Sequence, residues 1–219
     1  MMIKMKIIER KIGEFFSEKV LRPVRNKQDV ILLLLETLKL INDSEKGIVN
    51  ERGRVIICID KMSRVFYETN KKAFSICFPF SIEEKDERYF RIYDSLTDVE
   101  ITLQMISLLI SIFKKDGKLG ESLESVMDFI IESAEDYEYK NIDDIWRMLF
   151  KLWYMEEGYI RYDYDPEHEN KEIHPLYHLD VNYSSGVTYK IGLNGALQIG
   201  GLKKILDTTT DCAYLTVKS

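Results

Sequence analysis

The three histidines of this 219-residue chain, His168, His174 and His178, all lie in one short segment between Arg161 and Tyr183. The segment, RYDYDPEHENKEIHPLYHLDVNY, also carries an arginine and several carboxylates. Histidine can move protons near neutral pH, and a neighbouring carboxylate can set its tautomer. Arginine and lysine can stabilise the negative charge of a phosphoryl-transfer or phosphodiester-cleavage transition state. This segment therefore holds the residue types of an acid–base or metal site.

Side chains alternate across a β-strand, and this alternation gives the segment one polar and one apolar side. The patterns predict strands at Tyr159–Asp165, Leu176–Tyr183 and Val187–Leu193. A three-residue loop from Ser184 to Gly186, with Gly186 in the left-handed conformation, would place the apolar sides of the last two strands together. The predicted polar face then presents His178, Asp180, Asn182, Thr188 and Lys190, with Asp180 opposite Lys190, and Arg161 and Asp163 join it if the first strand pairs alongside.

Three interpretations of this face stay open. In the first it is a metal-free acid–base site, with the candidate catalytic residues His178, His174, Arg161, Lys190 and Asp163 and the candidate substrate-binding residues Asn182, Thr188 and Tyr164. In the second it binds Zn²⁺, Mn²⁺ or Fe²⁺, with the candidate ligands His168, His174, His178 and Asp180. In the third it is a solvated strand face in which Asp180 and Lys190 form an ordinary cross-strand ion pair.

Bulk composition narrows the class of protein. The net charge of −6 and the pI of about 5.3 argue against a broad basic surface for non-specific nucleic-acid binding, but they leave room for a local basic cleft. The three cysteines show no C-x-x-C spacing, so we expect reduced thiols rather than a disulfide framework. The N-terminus lacks a signal-type apolar stretch, and Glu36 and Lys39 interrupt the apolar run Val30–Ile41 well short of a membrane span of ~20 residues. We therefore expect a cytoplasmic protein with no membrane partner.

The remaining patterns predict an α+β fold with a helical N-terminal part, a mostly antiparallel sheet and C-terminal antiparallel strands that carry the histidines. Helices are predicted at residues 4–21, 27–42, 97–113 with Thr97 as its cap, 117–136, 141–157 and 201–206. Further strands are predicted at residues 54–60, 63–69, 73–80, 88–95 and 212–217, and a solvated loop at 83–88. Scarce glycine and proline favour a single compact domain over 1–219, with a soft subdivision near residue 140 into 1–140 and 141–219.

Four stretches resemble a family of bacterial proteins known as a domain of unknown function. They are Arg161–Glu167, His174–Asp180, Ile205–Asp207 and Thr210–Leu215, and they match an Arg-Tyr-Asp-Tyr-x-Pro-Glu, a His-Pro-x-x-His-Leu-(His/Asp), an Ile-Leu-Asp and a Thr-x-Cys-x-Tyr-Leu pattern. Asp180 stands where the pattern more often has histidine, a departure that weakens a metal site. Members look like companions of mobile elements and anti-phage loci, so the resemblance implies a toxin-like effector or an accessory subunit.

The hypothesis that follows is a cytoplasmic bacterial defence or toxin-type protein. Its C-terminal sheet would carry a hydrolytic or phosphoryl-transfer site for RNA or a nucleotide, working as a nuclease or phosphotransferase without a cofactor or with a divalent metal ion. The alternative is a non-catalytic accessory subunit. In that case the tyrosine-rich segment and the helix of Trp146 and Trp153 would dock on a larger protein partner from the same operon.

Overall fold

The computed structural model describes residues 6–43, 48, 50–59, 62–86, 89–114, 123–136, 141–170, 172–183 and 186–215. These residues form nine strands and six helices, which confirms the predicted α+β class. The strands are β1 (Lys6–Ile12), β2 (Gly53–Ile59), β3 (Arg64–Thr69), β4 (Ala73–Cys77), β5 (Ser81–Asp86), β6 (Tyr89–Tyr93), β7 (Ile160–Tyr164), β8 (Tyr177–Val181) and β9 (Tyr189–Gly192). The helices are α1 (Glu14–Leu21), α2 (Lys27–Ile41), α3 (Leu103–Lys114), α4 (Leu123–Asp136), α5 (Ile142–Tyr154) and α6 (Ile199–Leu206).

The chain divides into two compact units, each built from separated segments. The first unit comprises residues 1–22, 47–78 and 158–219, and the second comprises residues 23–46 and 79–157. The boundaries of these units fall at residues 22, 46, 78 and 157. The prediction of a single domain with a soft subdivision near residue 140 stays a prediction.

The first unit is a seven-stranded antiparallel sheet in the order β1-β2-β3-β4-β7-β8-β9, with α1 and α6 against it. Alternating β-branched and aromatic residues favour its strands, because such side chains pack well on a pleated surface. One sheet face meets α6 in an apolar core. Its buried members are Ile56, Cys58, Met62, Phe66, Ile160, Leu179, Ile199 and Leu202. This core packs against one face of β7, β8 and β9 and so fixes their position.

The β8–β9 hairpin has the predicted register but a different turn. Asp180 pairs with Lys190 and Val181 pairs with Tyr189, as the match of the apolar faces requires. Asn182 takes the left-handed conformation with φ 66°, and Gly186, which was expected to take it, has no positive φ. Asparagine tolerates this region better than most residues because its short polar side chain bonds locally, here to the Val187 carbonyl. Ser184 and Ser185, the other predicted loop residues, lie outside the described residues.

The second unit contains α2 to α5 and the β5–β6 hairpin. A capping box begins α2: the Asn26 side chain accepts from the Asp29 amide at 2.9 Å, and the Asp29 carboxylate accepts from the Asn26 amide at 3.2 Å. Apolar residues of α2 and α3 supply much of the core of this unit. The described helices include none with the length and apolar character needed to span a membrane.

Four local predictions are wrong. Residues 6–12 form strand β1 instead of the first half of a helix, because they pair along their whole length with β2. Residues 83–86 of the predicted loop 83–88 belong to β5, and residues 87 and 88 lie outside the described residues. The third helix begins at Leu103 and is capped by Thr102, whereas the Thr97 hydroxyl donates to Asp94. Residues 212–215 are irregular, and the rest of that predicted strand lies outside the described residues.

Candidate functional site

Five of the predicted site residues meet on one face of the sheet, and we call them the ion cluster: Arg161, Asp163, His178, Asp180 and Lys190. The strand register brings them together, since Arg161 pairs with Asp180, Asp163 with His178, and Asp180 with Lys190 across β7, β8 and β9. This is the face opposite the α6 core, as alternation along each strand requires. The polar face predicted from the sequence therefore exists on these three strands.

Arg161 ties the two carboxylates together. Its Nε and Nη2 donate to Oδ2 of Asp163 at 2.8 and 2.5 Å, and its Nη2 also donates to Oδ2 of Asp180 at 2.6 Å. Its side chain keeps 27% of its surface exposed. Burial would lower the pKa of Arg161, but the hydrogen bond to Asp163 and the nearby negative charges outweigh burial, and the pKa is raised.

Lys190 connects the histidine to the second carboxylate. Its ammonium lies 2.7 Å from Oδ1 of Asp180 and 3.0 Å from Nε2 of His178. An ammonium only donates, so His178 Nε2 must accept. Nδ1 of the same ring lies 2.7 Å from the Pro175 carbonyl, which only accepts, so Nδ1 carries the proton. The contacts thus fix His178 as one neutral tautomer.

The members of the ion cluster differ in burial, and burial affects their pKa values. The His178 side chain is 0% exposed, while the Lys190 side chain keeps 30% of its surface exposed. Burial would raise the pKa of Asp180, but the hydrogen bond from Lys190 and the charges of Arg161 and Lys190 outweigh it, so this pKa lies below its usual value. Two cations therefore balance two carboxylates, as buried charges require.

The loop between β7 and β8, residues 165–176, forms a second polar group beside the ion cluster, and we call it the histidine loop. Asp165 lies between two imidazoles: its Oδ1 is 3.0 Å from Nδ1 of His168, and its Oδ2 is 3.2 Å from Nε2 of His174. The His174 contact has ion-pair distance but not hydrogen-bond geometry, so this buried nitrogen has no hydrogen-bond partner among the described residues. The His174 ring meets the His178 ring edge-on, with centroids 4.7 Å apart. His174 therefore joins the two groups.

The three predicted substrate-binding residues make contacts outside the ion cluster. Tyr164 follows Asp163 on β7 and so faces the opposite side of the sheet, where it stacks on Tyr177 at 5.3 Å. Asn182 comes after the end of β8, and the Thr188 hydroxyl donates to its carbonyl at 2.9 Å. Both of these residues make hydrogen bonds within the connection between β8 and β9, and their role in substrate binding stays a prediction.

Three residues near the cluster were not among the predicted site residues. Asp165 was missed although it precedes His168 by three residues, a spacing at which a loop carboxylate can meet an imidazole. Tyr159 was missed although it precedes Arg161 by two residues and so shares its face. Burial raises the pKa of its hydroxyl, and the nearby Arg161 guanidinium opposes this rise. Lys72 was unpredictable, because only the long-range pairing of β4 with β7 brings it near Arg161.

Lys72 belongs to the turn between β3 and β4, and its ammonium lies at the C-terminal end of α1. Its ammonium donates to the carbonyls of Val20 and Arg22 at 3.2 and 3.0 Å and lies 4.5 Å from the centre of the Phe74 ring. Burial, reinforced by the positive charge of Arg161, lowers the pKa of Lys72 to about 8. This lysine therefore adds a third cation near the polar face.

The candidate metal ligands do not form one set. Ligand atoms of Asp163, His178 and Asp180 lie within 4.8 Å of one another, a spacing that suits a cation. The Lys190 ammonium already contacts two of these three residues. A metal ion there would have to displace Lys190 and compete with Arg161. His168 and His174 belong instead to the group around Asp165.

Comparison with models of known protein families, with curated proteins and with solved structures gave no significant match to this chain. The resemblance to a domain-of-unknown-function family stays a prediction. The functional argument accordingly depends on the geometry of the polar face and the histidine loop.

Proposed function

We propose that this protein hydrolyses or transfers a phosphate group of RNA or of a nucleotide at the ion cluster and the adjoining histidine loop. The single observation that carries the proposal is the meeting of Arg161, Lys190, His178 and two carboxylates on one partly exposed sheet face, with His174 at its edge. Cations that can hold a phosphate and an imidazole that can activate water are the groups such a reaction needs.

Arg161 and Lys190 are the groups that bind the phosphate. The bonds of Arg161 to the two carboxylates use Nε and Nη2, and Nη1 is not needed for them. An ammonium has three donors, and His178 and Asp180 take two of the three on Lys190. Because two carboxylates already balance these cations, we expect weak binding of the substrate in its ground state and a high KM. Arg161 and Lys190 stabilise the transition state more strongly than the bound substrate, because negative charge develops there.

His174 is the group that activates the attacking water. His178 is enclosed and both of its ring nitrogens are bonded. Nε2 of His174, although itself buried, has no hydrogen-bond partner among the described residues and belongs to a side chain that is 26% exposed. In hydrolysis the water oxygen bonds to phosphorus and the bond from phosphorus to the leaving oxygen breaks. The proton that water gives up ends on the leaving oxygen. His178 holds His174 in place through the edge-on ring contact.

The test is a product assay on the purified full chain. Single-stranded RNA and nucleoside triphosphates are incubated with wild-type protein, and released phosphate and cleaved RNA ends are measured by chromatography and mass spectrometry. His174→Gln should lower the rate by about 10²-fold or more, the usual contribution of a positioned acid–base group. Lys190→Met should raise KM or lower kcat, because it removes an anion-binding donor.

Glu169→Gln is the matched control, since Glu169 is an exposed carboxylate of the histidine loop. It should keep the wild-type rate, and circular dichroism should show that all variants are folded. The proposal is wrong if wild-type protein forms no product from either substrate class, or if folded His174→Gln protein keeps the full rate.

The second candidate is the accessory subunit, and α5 supplies an observation that favours it. Trp146, Phe150 and Tyr154 form a row along this helix with ring centroids 4.7 and 5.6 Å apart. Tyr154 is 73% exposed and the other two are half-buried, and aromatic residues are enriched at protein interfaces. Trp153 instead packs on Phe113 within the second unit. A subunit would show no phosphate release, and Tyr154→Ser would weaken its complex with the protein encoded beside it.

The cellular role belongs to the same proposal. We propose a bacterial defence or toxin-type effector that works in the cytoplasm. An active phosphate-processing toxin should slow the growth of cells that express it, and His174→Gln should restore growth. Equal growth with wild-type and variant protein at matched expression would remove the toxin role.

A further inference from the structure

Strands β2, β3 and β4 carry an arginine between two cysteines on the sheet face that meets α6. Arg64 pairs with Cys58 on one side and with Cys77 on the other, so the three side chains lie on one face. Cys58 belongs to the apolar core of that face. This row of residues therefore lies on the face opposite the ion cluster, and it contains none of the groups of the proposed function.

The Arg64 guanidinium uses one of its three nitrogens in hydrogen bonds with described residues. Its Nη1 donates to the Ser75 hydroxyl at 3.2 Å and to the Gly158 carbonyl at 2.8 Å, which occupies both of the hydrogens on Nη1. Nε and Nη2 keep three donors without a partner in the described part of the chain. These two nitrogens form an edge of the guanidinium that can bind a carboxylate or a phosphate through two parallel hydrogen bonds.

The charge of Arg64 has no carboxylate partner among the residues that the structure describes. Burial lowers the pKa of this guanidinium, and the opposing influence comes from the Cys77 thiol, a group that is ordinarily uncharged near pH 7. Arg54 and Arg161, in contrast, each pair with two carboxylates. A charge that leaves water without an opposite charge beside it is costly. Arg64 is therefore suited to an anion that comes from outside the chain.

Gly158 holds the guanidinium in place through close approach. It has the left-handed conformation with φ 54°, and an added Cβ would lie 2.9 Å from Nη2 of Arg64. Glycine fits at this position without moving the guanidinium. The Gly158 carbonyl and the buried Ser75 hydroxyl fix Nη1 on the other side. The edge formed by Nε and Nη2 is thus held in one orientation, which lowers the entropy cost of binding an anion.

A second cation lies on the same sheet face. The Lys203 ammonium of α6 lies near the Cys58 thiol, where its positive charge opposes the rise in pKa that burial gives the thiol. The Asp207 carboxylate acts on the same thiol with the opposite sign but less strongly than Lys203. The surroundings of Cys58, the residue paired with Arg64, are therefore positive on balance, which favours a bound anion.

We infer that Arg64 binds a phosphate group through Nε and Nη2, on the sheet face opposite the ion cluster. A carboxylate fits the same edge, but a phosphate carries up to two negative charges and so matches the two cations, Arg64 and Lys203, better. The ligand is free phosphate or the phosphate group of a nucleotide. Because the sheet lies between this site and the ion cluster, binding at Arg64 does not depend on the proposed function.

The test is a titration of the purified full chain with inorganic phosphate at constant ionic strength. Binding is measured by calorimetry and by the heteronuclear NMR signal of the Arg64 Nε–H group, which phosphate should shift in the wild type. Arg64→Lys keeps the charge but loses the edge, so it should weaken phosphate binding about tenfold or more, the usual cost of one charge-assisted hydrogen bond. Adenosine monophosphate distinguishes the two sources, since tighter binding than that of inorganic phosphate would identify a nucleotide as the ligand.

Two variants serve as controls. Arg147→Lys makes the same change at an exposed arginine of α5 and should bind phosphate as the wild type does. Lys190→Met should keep the phosphate-induced shift of the Arg64 signal, because Lys190 lies on the other face of the sheet.

The inference is overturned if phosphate leaves the Arg64 signal of the wild type unmoved, a result that does not require any variant to fold. It is also overturned if folded Arg64→Lys protein binds phosphate as tightly as the wild type, or if acetate binds more tightly than phosphate. Loss of binding in Lys190→Met alone would place the phosphate in the ion cluster. A shifted Arg64 signal without any product in the phosphate-release assay would instead remove the proposed function and leave this site.

Discussion

At the scale of single residues, the ion cluster holds its charges by mutual pairing. Asp180 is buried, yet Arg161 and Lys190 both bond to it, so the ionised form is favoured in the folded protein. Each of the two cations also serves a second acceptor, Asp163 or His178. Loss of the negative charge on Asp180 would therefore weaken its hydrogen bonds from both Arg161 and Lys190.

Acid should weaken the fold through Asp180. Its folded pKa lies below the usual 3.8, so the ionised carboxylate stabilises the fold at neutral pH, and this stabilisation falls as pH drops through 3.8 and is gone below the folded pKa. Urea unfolding between pH 7 and pH 3 should show a steeper loss for wild type than for Asp180→Asn, which has no such proton to take up. Parallel pH profiles would show that Asp180 is not held ionised by its two cations.

Much of this residue-level site follows from alternation, and some of it does not. His178, Asp180 and Lys190 could be predicted because matching the apolar sides of the two strands sets their register, and the register is confirmed although the turn differs. The burial of His178 could not, because the approach of Pro175 and Lys190 depends on how the histidine loop folds back. Alternation also predicts Tyr159 on the face of Arg161, and this residue was overlooked.

At the scale of elements, β1 shows why a short amphipathic pattern is ambiguous. Residues 6–12 mix charged and apolar side chains in a way that fits a helix continuing to Leu21 as well as a strand. Residues 6–12 form a strand because they pair with β2 along their full length, and β2 lies about forty residues later in the chain. The helix then begins only at Glu14. Long-range pairing of this kind is what the local pattern cannot supply.

Among the described glycines, Gly53 is the one at which an added Cβ would lie closest to another atom. It begins β2 between Ile12 and Thr69, and a Cβ there would lie 2.0 Å from the Glu68 carbonyl oxygen, with φ at 157°. Gly53→Ala should lower the free energy of unfolding by about 2 kcal/mol or more, because backbone must move apart in two ladders. Urea denaturation monitored by circular dichroism measures this loss.

Gly200 provides the matched glycine. It lies in α6, where an added Cβ meets no atom within 4 Å. Gly200→Ala should therefore raise the free energy of unfolding by about 0.5–1 kcal/mol, the usual gain of alanine over glycine in a helix. Equal effects of the two substitutions would show that the β2 backbone has more room at Gly53 than the structure gives it.

At the scale of the whole molecule, the sheet of the first unit is assembled from three separated parts of the chain. Strand β4 pairs with β7, although residues 79–157 of the second unit lie between them in the sequence. The core behind the ion cluster likewise joins Ile56 and Phe66 to Leu179 and Leu202. The sequence predicts six of the seven strands of this sheet, all but β1, but gives no signal for their order, because strand order depends on contacts between distant segments. The site thus depends on residues that take no part in its chemistry.

A cut near residue 140 should consequently destroy the fold of the C-terminal part. Fragment 141–219 keeps α5, β7, β8, β9 and α6 but loses β4 and four members of the α6 core: Ile56, Cys58, Met62 and Phe66. A small sheet without its core partners is not stable alone. The fragment should show no cooperative urea transition by circular dichroism, under conditions in which the whole chain unfolds cooperatively. A cooperative transition in 141–219 would show instead that the histidine-bearing strands fold independently, and that the soft subdivision near residue 140 is a true domain boundary.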